Sequence, residues 1–453
     1  LTGGARDLPE RQRTLRGAIE WSHDLLDDAK RSLFARLSVF MGGCTLEAAE
    51  AVCGTDLDVL DGLASLVDES LLRRTETTDG ELRFGMLETI REFAAERLAE
   101  SGQEEDLRRR HAEWVMAFAE EAEPEIVGEN QALWLDRTER EHDNIRAALR
   151  WAIDHGEGEI ALRTGASLWR FWQQRGHLRE GRQWLEEILA MPAASDRTAQ
   201  RGKALGAAGS LTYWMNDYEA TERHYREAVD VYRDVGDHAG MAEALYNMAF
   251  VPALKGDIAE ARSIFAQSLA EARAAGDQVL IAHALEWEAY ADLLEGHYET
   301  VVPRLQEAVA MTRRLGRQFE LADMLSALSQ AYAVTGDLPS ARAVLAESME
   351  LFKEADNPTG LSMNLYGFAA IAVKAGRFER AARLVAAHEA TREEIGGGAP
   401  PELMNVMGVP ADAAREALPP ERFQQAWAEG RAMGLEKAVA YALEENGADA
   451  RGR

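Results

Sequence analysis

The sequence predicts an all-α fold, an α-solenoid of 40-residue helical hairpins preceded by a small domain of short helices and one β-hairpin. Three observations carry this. Gly176, Gly256, Gly296, Gly336 and Gly376 lie on one 40-residue ruler, and Asn216, the usual substitute for glycine in a left-handed turn, fills the missing tick. Gly156, Gly236, Gly276 and Gly316 lie on the same ruler displaced by half a period, so each repeat is two segments of about 20 residues, each closed by a turn. Finally, Leu205, Leu245, Leu285, Leu325 and Leu365 share one helical position, and Gly209, Ala249, Ala289, Ser329 and Ala369 follow four residues later. Four residues is one helical turn, so a large side chain fills the space between hairpins while a small one lets the neighbouring helix approach.

The second helix repeats the device. Gly181, Thr221, Ala261, Ala341 and Ala381 are small, with Val301 the exception, and Leu185, Tyr225, Phe265, Leu305, Leu345 and Val385 follow one turn on. No segment of this region alternates with the period of a strand. Six repeats therefore occupy 156–395. Before them, 1–13 reads as a linker, 14–104 as the small domain and 105–155 as two lead-in helices. After them, the run from Gly396 to Pro401 opens a loop over 396–410, and 411–453 forms capping helices and a tail, with Pro419-Pro420 between the first two helices.

Within the small domain, Leu15 to Trp21, Ala29 to Phe40, Thr45 to Val52 and Leu57 to Val67 have helical spacing, the third opened by a Thr cap after Gly42-Gly43. The period then changes. Ser70 to Glu76 and Glu81 to Leu87 are short β-like runs around Thr77-Thr78-Asp79-Gly80, and a helix follows from Glu88 to Leu98. Helices followed by a hairpin is the winged-helix order.

Net charge of −28 and a pI near 4.8 argue against a nucleic-acid or anionic-membrane surface, which needs a Lys/Arg stripe. The helix that would enter a DNA groove, Asp58 to Glu69, holds four carboxylates and no Lys or Arg. No apolar run approaches the roughly 18 residues of a membrane span, so a soluble cytoplasmic protein is expected. Cys44 and Cys53 are expected to be buried, reduced thiols. The opening Leu-Thr-Gly-Gly reads as a point inside a longer protein.

No catalytic constellation is legible, so no enzyme activity, cofactor or metal is expected. Gly202-Lys203, the one Gly-Lys pair, has no glycine five residues before it and lies inside a repeat helix, so nothing cradles a triphosphate. The ten histidines are never three or four apart, and Glu141-His142-Asp143 are consecutive on a helix, pointing about 100° apart.

The run Ala242 to Leu269 resembles a tetratricopeptide repeat, with Leu245, Ala249, Gly256, Ala261, Phe265 and Ser268 at that motif's large, small, turn, small, aromatic and small positions. The motif is usually 34 residues long. The six additional residues are expected to lengthen the second helix or the turn after it, as in bacterial regulatory ATPases of the maltose-activator type. Ala18 to Leu26, with Lys30, Leu33, Phe34 and Leu37 to Phe40, resembles the winged helix of NB-ARC (STAND-class) signalling ATPases. Leu8 to Leu15 and Glu139 to Leu149 resemble the segments flanking that domain in actinobacterial antibiotic-regulator and LuxR-type large regulators. The resemblance implies the regulatory half of such an ATPase, with the nucleotide module upstream and an inducer or protein partner on the repeats. The family's Met-His-Asp nucleotide sensor falls on Met86-Leu87-Glu88, where leucine cannot bond a phosphate. A free-standing tetratricopeptide scaffold for protein assembly is the alternative.

In tetratricopeptide solenoids the first helix of each hairpin lines the recognition face. That geometry puts Lys203, Glu243, His283 and Asp323 at one inward position, Tyr246, Glu286 and Tyr366 at the next, Asn247 and Trp287 beside it, and Phe250 and Tyr290 one turn on. The candidate partner site is accordingly Glu243, Tyr246, Asn247, Phe250, His283, Glu286, Trp287 and Tyr290. Packing of the same aromatics between helices is the competing role.

Overall fold

The computed structural model describes residues 15–54, 57–77, 79–128, 130–355, 357–395 and 409–444. The expected linker at 1–13 and most of the loop at 396–410 lie outside them. The chain divides into two compact units, Leu1–Val235 and Gly236–Arg453, parted at a ruler glycine.

The first unit opens with α1 (Leu15–Asp24), α2 (Asp28–Arg36) and a 3-10 turn (Leu37–Val39), then β1 (Cys44–Thr45), α3 (Leu46–Cys53), α4 (Val59–Asp68), β2 (Arg73–Glu76), β3 (Leu82–Gly85) and α5 (Glu88–Ser101). This is a winged helix. Its core holds Leu33, Phe34, Val52, Leu63, Leu66 and Phe93. The sheet has the antiparallel order β1-β3-β2, with Cys44 opposite Phe84 and Arg74 opposite Phe84 on the other side. Sequence spacing did not show β1, because Thr45 both ends this two-residue strand and caps α3 by accepting the Ala48 N–H at 3.1 Å. Gly43 makes the pairing possible: its φ is +92° and a Cβ there would sit 2.6 Å from the Phe84 carbonyl oxygen. Cys44 and Cys53 are free and buried, and burial pushes the Cys53 thiol up to about 12.

The lead-in region holds three helices rather than two, α6 (Glu104–Glu125), α7 (Gln131–Arg140) and α8 (His142–Asp154), since the backbone leaves helical geometry at Glu141. The first hairpin is irregular. Its first helix breaks at Leu168 into α9 (Gly158–Ser167) and α10 (Trp169–Gln174), and α11 (Leu178–Leu189) ends early, before a 3-10 turn begun by Pro192. The second hairpin, α12 (Ala199–Trp214) and α13 (Tyr218–Val235), is regular, and Asn216 between its helices has φ +60°, as its place on the ruler requires.

The second unit is four hairpins, α14 (His238–Leu254) with α15 (Ile258–Ala275), α16 (Gln278–Glu295) with α17 (Tyr298–Leu315), α18 (Gln318–Thr335) with α19 (Leu338–Glu354), and α20 (Pro358–Lys374) with α21 (Phe378–Ile395). First and second helices are alike at 17 or 18 residues, so the repeat's additional length is shared between them and not confined to the second. Both columns are buried: Ala249, Ala289 and Ala369 have no exposure, and Leu245, Leu285, Leu325 and Leu365 lie in the core. After the fourth hairpin come α22 (Pro410–Ala417), α23 (Pro420–Arg431) and α24 (Leu435–Leu443). They cover the last hairpin's apolar surface, and Arg380 donates to the carbonyls of Tyr441, Ala442 and Glu444, satisfying the end of α24.

Candidate functional site

On the first-helix face of the second unit, α14 and α16 bring five of the eight expected residues into one ring cluster. Phe250 lies 4.4 Å from Trp287 centroid to centroid and edge-on, Tyr246 lies 5.3 Å from Phe250 and 5.8 Å from His283, and Tyr290 lies 5.1 Å from Trp287. Trp287 Nε1 donates to the Tyr246 hydroxyl at 2.6 Å, and Phe265, a second-helix core residue, stacks flat on Trp287 at 5.4 Å. These contacts make Tyr246 and Trp287 packing residues. Yet Tyr246, Phe250, Trp287 and Tyr290 all remain partly exposed, so the cluster is a surface as well as a core edge. The packing role is observed, and the surface that remains is what a partner would meet.

The polar residues divide. Asn247 turns its amide back on its own helix, Nδ2 donating to the Glu243 carbonyl at 3.0 Å, and Glu243 is exposed. Glu286 comes within 3.8 Å of His283. Burial pulls the His283 imidazole down, but Glu286, Glu320 and Asp323 outweigh it and hold the imidazole above its usual range. Asp323 shows the reverse: burial first, then the charge of Glu286, pushes its carboxyl up to about 7 against the pull of His283. The first helices of three successive hairpins thus offer an aromatic patch beside a titratable His-carboxylate group.

A second arrangement joins the winged helix to α7 and α8. Arg83 on β3 and Glu141 at the α7–α8 break form a buried ion pair. Asn144 donates from Nδ2 to Glu141 at 2.6 Å and to the Gly43 carbonyl at 3.0 Å, and its Oδ1 accepts the Met41 N–H at 2.7 Å. His111, kept neutral by burial with its pKa lowered to about 4, lies 3.3 Å from the same oxygen. The sequence placed Glu141 and Asn144 in a family-like segment without showing that they meet Arg83. Beside this joint a cleft of about 270 Å³ is lined by Phe40, Gly43, Met86, Glu88 and Asp143. Leu87, which the sequence resemblance set at a nucleotide-sensor position, is exposed at the start of α5, and Glu88 is engaged by Arg91 at 3.0 Å.

The outward face of α4 carries Asp58, Leu60, Asp61, Ala64 and Asp68 and no cation, with Arg73 and Arg74 exposed on β2. Among the described residues no helix is long and apolar enough to cross a membrane.

Residues 26–99 match the winged helix-turn-helix domain family and residues 200–274 match the tetratricopeptide repeat. Proteins named Putative HTH-type transcriptional regulator from Mycobacterium tuberculosis and Mycobacterium bovis are 34% identical over 379 residues, covering 81% of this chain. The chain spans 42% of the length of these relatives. Among solved structures, a STAND protein with a tetratricopeptide repeat sensor from Pyrococcus horikoshii aligns with 97% of this chain and 68% of its own, at 15% identity and a TM-score of 0.49. A Rap protein complexed with competence and sporulation factor aligns with 73% of this chain and 99% of its own, at 17% identity and a TM-score of 0.43. The chain is thus a winged helix followed by tetratricopeptide repeats, homologous to proteins named as transcriptional regulators.

Proposed function

We propose that this chain is the non-catalytic sensor arm of a longer STAND-class ATPase regulator of signalling or transcription, and that it binds an inducer or protein partner on the first-helix face of its repeats. The observation that carries the reading is the partly exposed cluster of Tyr246, Phe250, Trp287 and Tyr290 beside His283 and Glu286. Aromatic side chains bury large area with few rotors, and neighbouring polar groups set orientation. The regulator-named relatives and the resemblance of Glu139 to Leu149 to the NB-ARC segment support the class. The arm works as a switch: the ligand shifts a closed-to-open balance of the ATPase module by binding one state more tightly than the other. The acidic α4 face supports a packing role for the winged helix over one on DNA.

The test has two parts. Calorimetric titration of the 453-residue chain with ATP and ADP shows no binding, whereas a chain extended to its relatives' full length binds nucleotide. In cells, a reporter driven by the full-length regulator loses its induced response when Tyr290→Ala and Glu286→Gln are combined, at unchanged protein level. Micromolar ATP binding by the 453-residue chain, or induction that persists after deletion of 236–395, sinks the proposal.

A further inference from the structure

Three of the six repeats cap their second helices with aspartate, and His177, His297 and Arg377 stand at the same position in the others. Asp217, Asp257 and Asp337 follow the turn residue and accept the N–H of Ala220, Glu260 and Ser340 at 3.2, 3.0 and 3.2 Å. In the first hairpin that position is His177, and its side chain caps nothing. The imidazole turns back toward the α7–α8 break instead: Nε2 lies 3.2 Å from Glu139 Oε2, and the ring centroid lies 4.5 Å from that of His142. His142 opens α8 with a side chain only 6% exposed, and its Nδ1 is 3.8 Å from Glu139 Oε1. Its Nε2 is buried and makes no hydrogen bond; Glu180 Oε1 comes within 3.3 Å but lacks the alignment of one. Glu180 is held elsewhere, by two 2.7 Å bonds from Arg146 and by Trp184 at 3.3 Å.

We propose that Glu139, His142 and His177 form a binding site for a divalent transition-metal ion of the zinc class, with water as the fourth ligand. A buried imidazole nitrogen left without a partner is costly, and two imidazoles in ring contact resist being charged together. An ion on Nδ1 takes the imidazole in its neutral form and fixes the proton on Nε2, the nitrogen that faces Glu180 Oε1 at 3.3 Å. Two nitrogens and one carboxylate suit a borderline ion such as Zn²⁺ better than Ca²⁺ or Mg²⁺, which take oxygen ligands. A tetrahedron with bonds of about 2.0–2.1 Å sets its donor atoms about 3.3 Å apart. Glu139 Oε1 stands 3.3 Å from His177 Nε2 and 3.8 Å from His142 Nδ1, and the three residues' donor atoms lie within 4.8 Å of one another. Small side-chain rotations close the set. Bound there, the ion ties the end of α7 and the start of α8 to the turn before α11, so its binding energy adds to the stability of the first hairpin's attachment. The site is separate from the groove and stands whether or not the groove binds a partner.

The test is zinc titration of the chelator-stripped 453-residue chain by calorimetry, with Co²⁺ absorption as a second probe. We expect one equivalent of Zn²⁺ bound through these residues and a raised melting temperature. His177→Asn keeps a side chain able to cap, as Asn357 does on α20 by accepting the Gly360 N–H at 2.8 Å, and Glu139→Gln alters a side chain already 42% exposed, so both variants fold. Each weakens Zn²⁺ at least about tenfold and removes its effect on melting. No zinc binding tighter than about millimolar, or binding that both variants leave unchanged, overturns the proposal; in the latter case the ion sits elsewhere, with Cys44 and Cys53 the first place to look.

Discussion

Replacing Glu141 with leucine should loosen the winged helix from α7 and α8, and the size of the effect follows from the joint's geometry. The Glu141 side chain is 4% exposed and that of Arg83 9%, so the pair is out of water. Without the carboxylate, the Arg83 guanidinium keeps the Gly43 carbonyl at 3.3 Å but has no counter-charge, and Asn144 loses its 2.6 Å acceptor. Removing one partner of a buried pair costs about 3–5 kcal/mol, because the remaining charge is stranded. In a unit of this size each kcal/mol moves the melting temperature by about 2–4 °C, so Glu141→Leu should lower it by roughly 6–20 °C. The double variant Arg83→Met with Glu141→Leu should recover most of that loss, since an apolar pair of similar volume replaces a buried ion pair at little cost or with a gain. Scanning calorimetry of the parent, both single variants and the double variant completes the cycle. A single variant melting within about 2 °C of the parent, or a double variant equal to the sum of the singles, would refute the reasoning.

Ala249→Leu or Ala289→Leu should overpack a helix crossing and cost about 1–3 kcal/mol, which urea unfolding would register; a parent-like midpoint for both removes the small column's packing role. The isolated winged helix should show no sequence-specific DNA shift at about 150 mM salt, and a shift that survives and discriminates between sequences contradicts the acidic-face argument. Asp323→Asn should stabilise the fold progressively as pH rises from about 4 to about 7. The folded carboxyl titrates near 7 against 3.8 in the unfolded chain, so the stability it contributes in its protonated form is full below 3.8 and lost as pH rises through 7, a loss asparagine does not suffer. Melting curves at pH 5 and pH 8 check the sign, and a variant no more stabilising at pH 8 than at pH 5 removes the cost of burying the Asp323 carboxylate beside Glu286 from the account.

What the sequence made legible is what repeats. A residue with φ near +70° at a fixed interval writes itself into the chain as glycine, and the one substitution, Asn216, is the one that tolerates that geometry. The aromatic site was legible because helix spacing alone puts Tyr246, Phe250, Trp287 and Tyr290 on one face, whereas Phe265 joins them from the second helix and gave no such signal. Non-local meetings were hidden. Arg83 reaches Glu141 across 58 residues, and His177 reaches Glu139 across 38. The column of His177 gave no clue to the latter, because His297 and Arg377 also stand where three repeats place a capping aspartate. The break between α7 and α8 escaped notice because no glycine or proline marks it.

The claim that a partner engages the first-helix face is tested most directly by site-specific photo-cross-linking in cells expressing the full-length regulator. A photoreactive phenylalanine analogue is placed either at Tyr290, on α16, or at Glu307, exposed on the second helix α17. The account predicts an inducer-dependent adduct from position 290 and none from position 307. An adduct from 307 alone, or none from 290 under inducing conditions, would contradict it and leave the aromatic cluster a packing device.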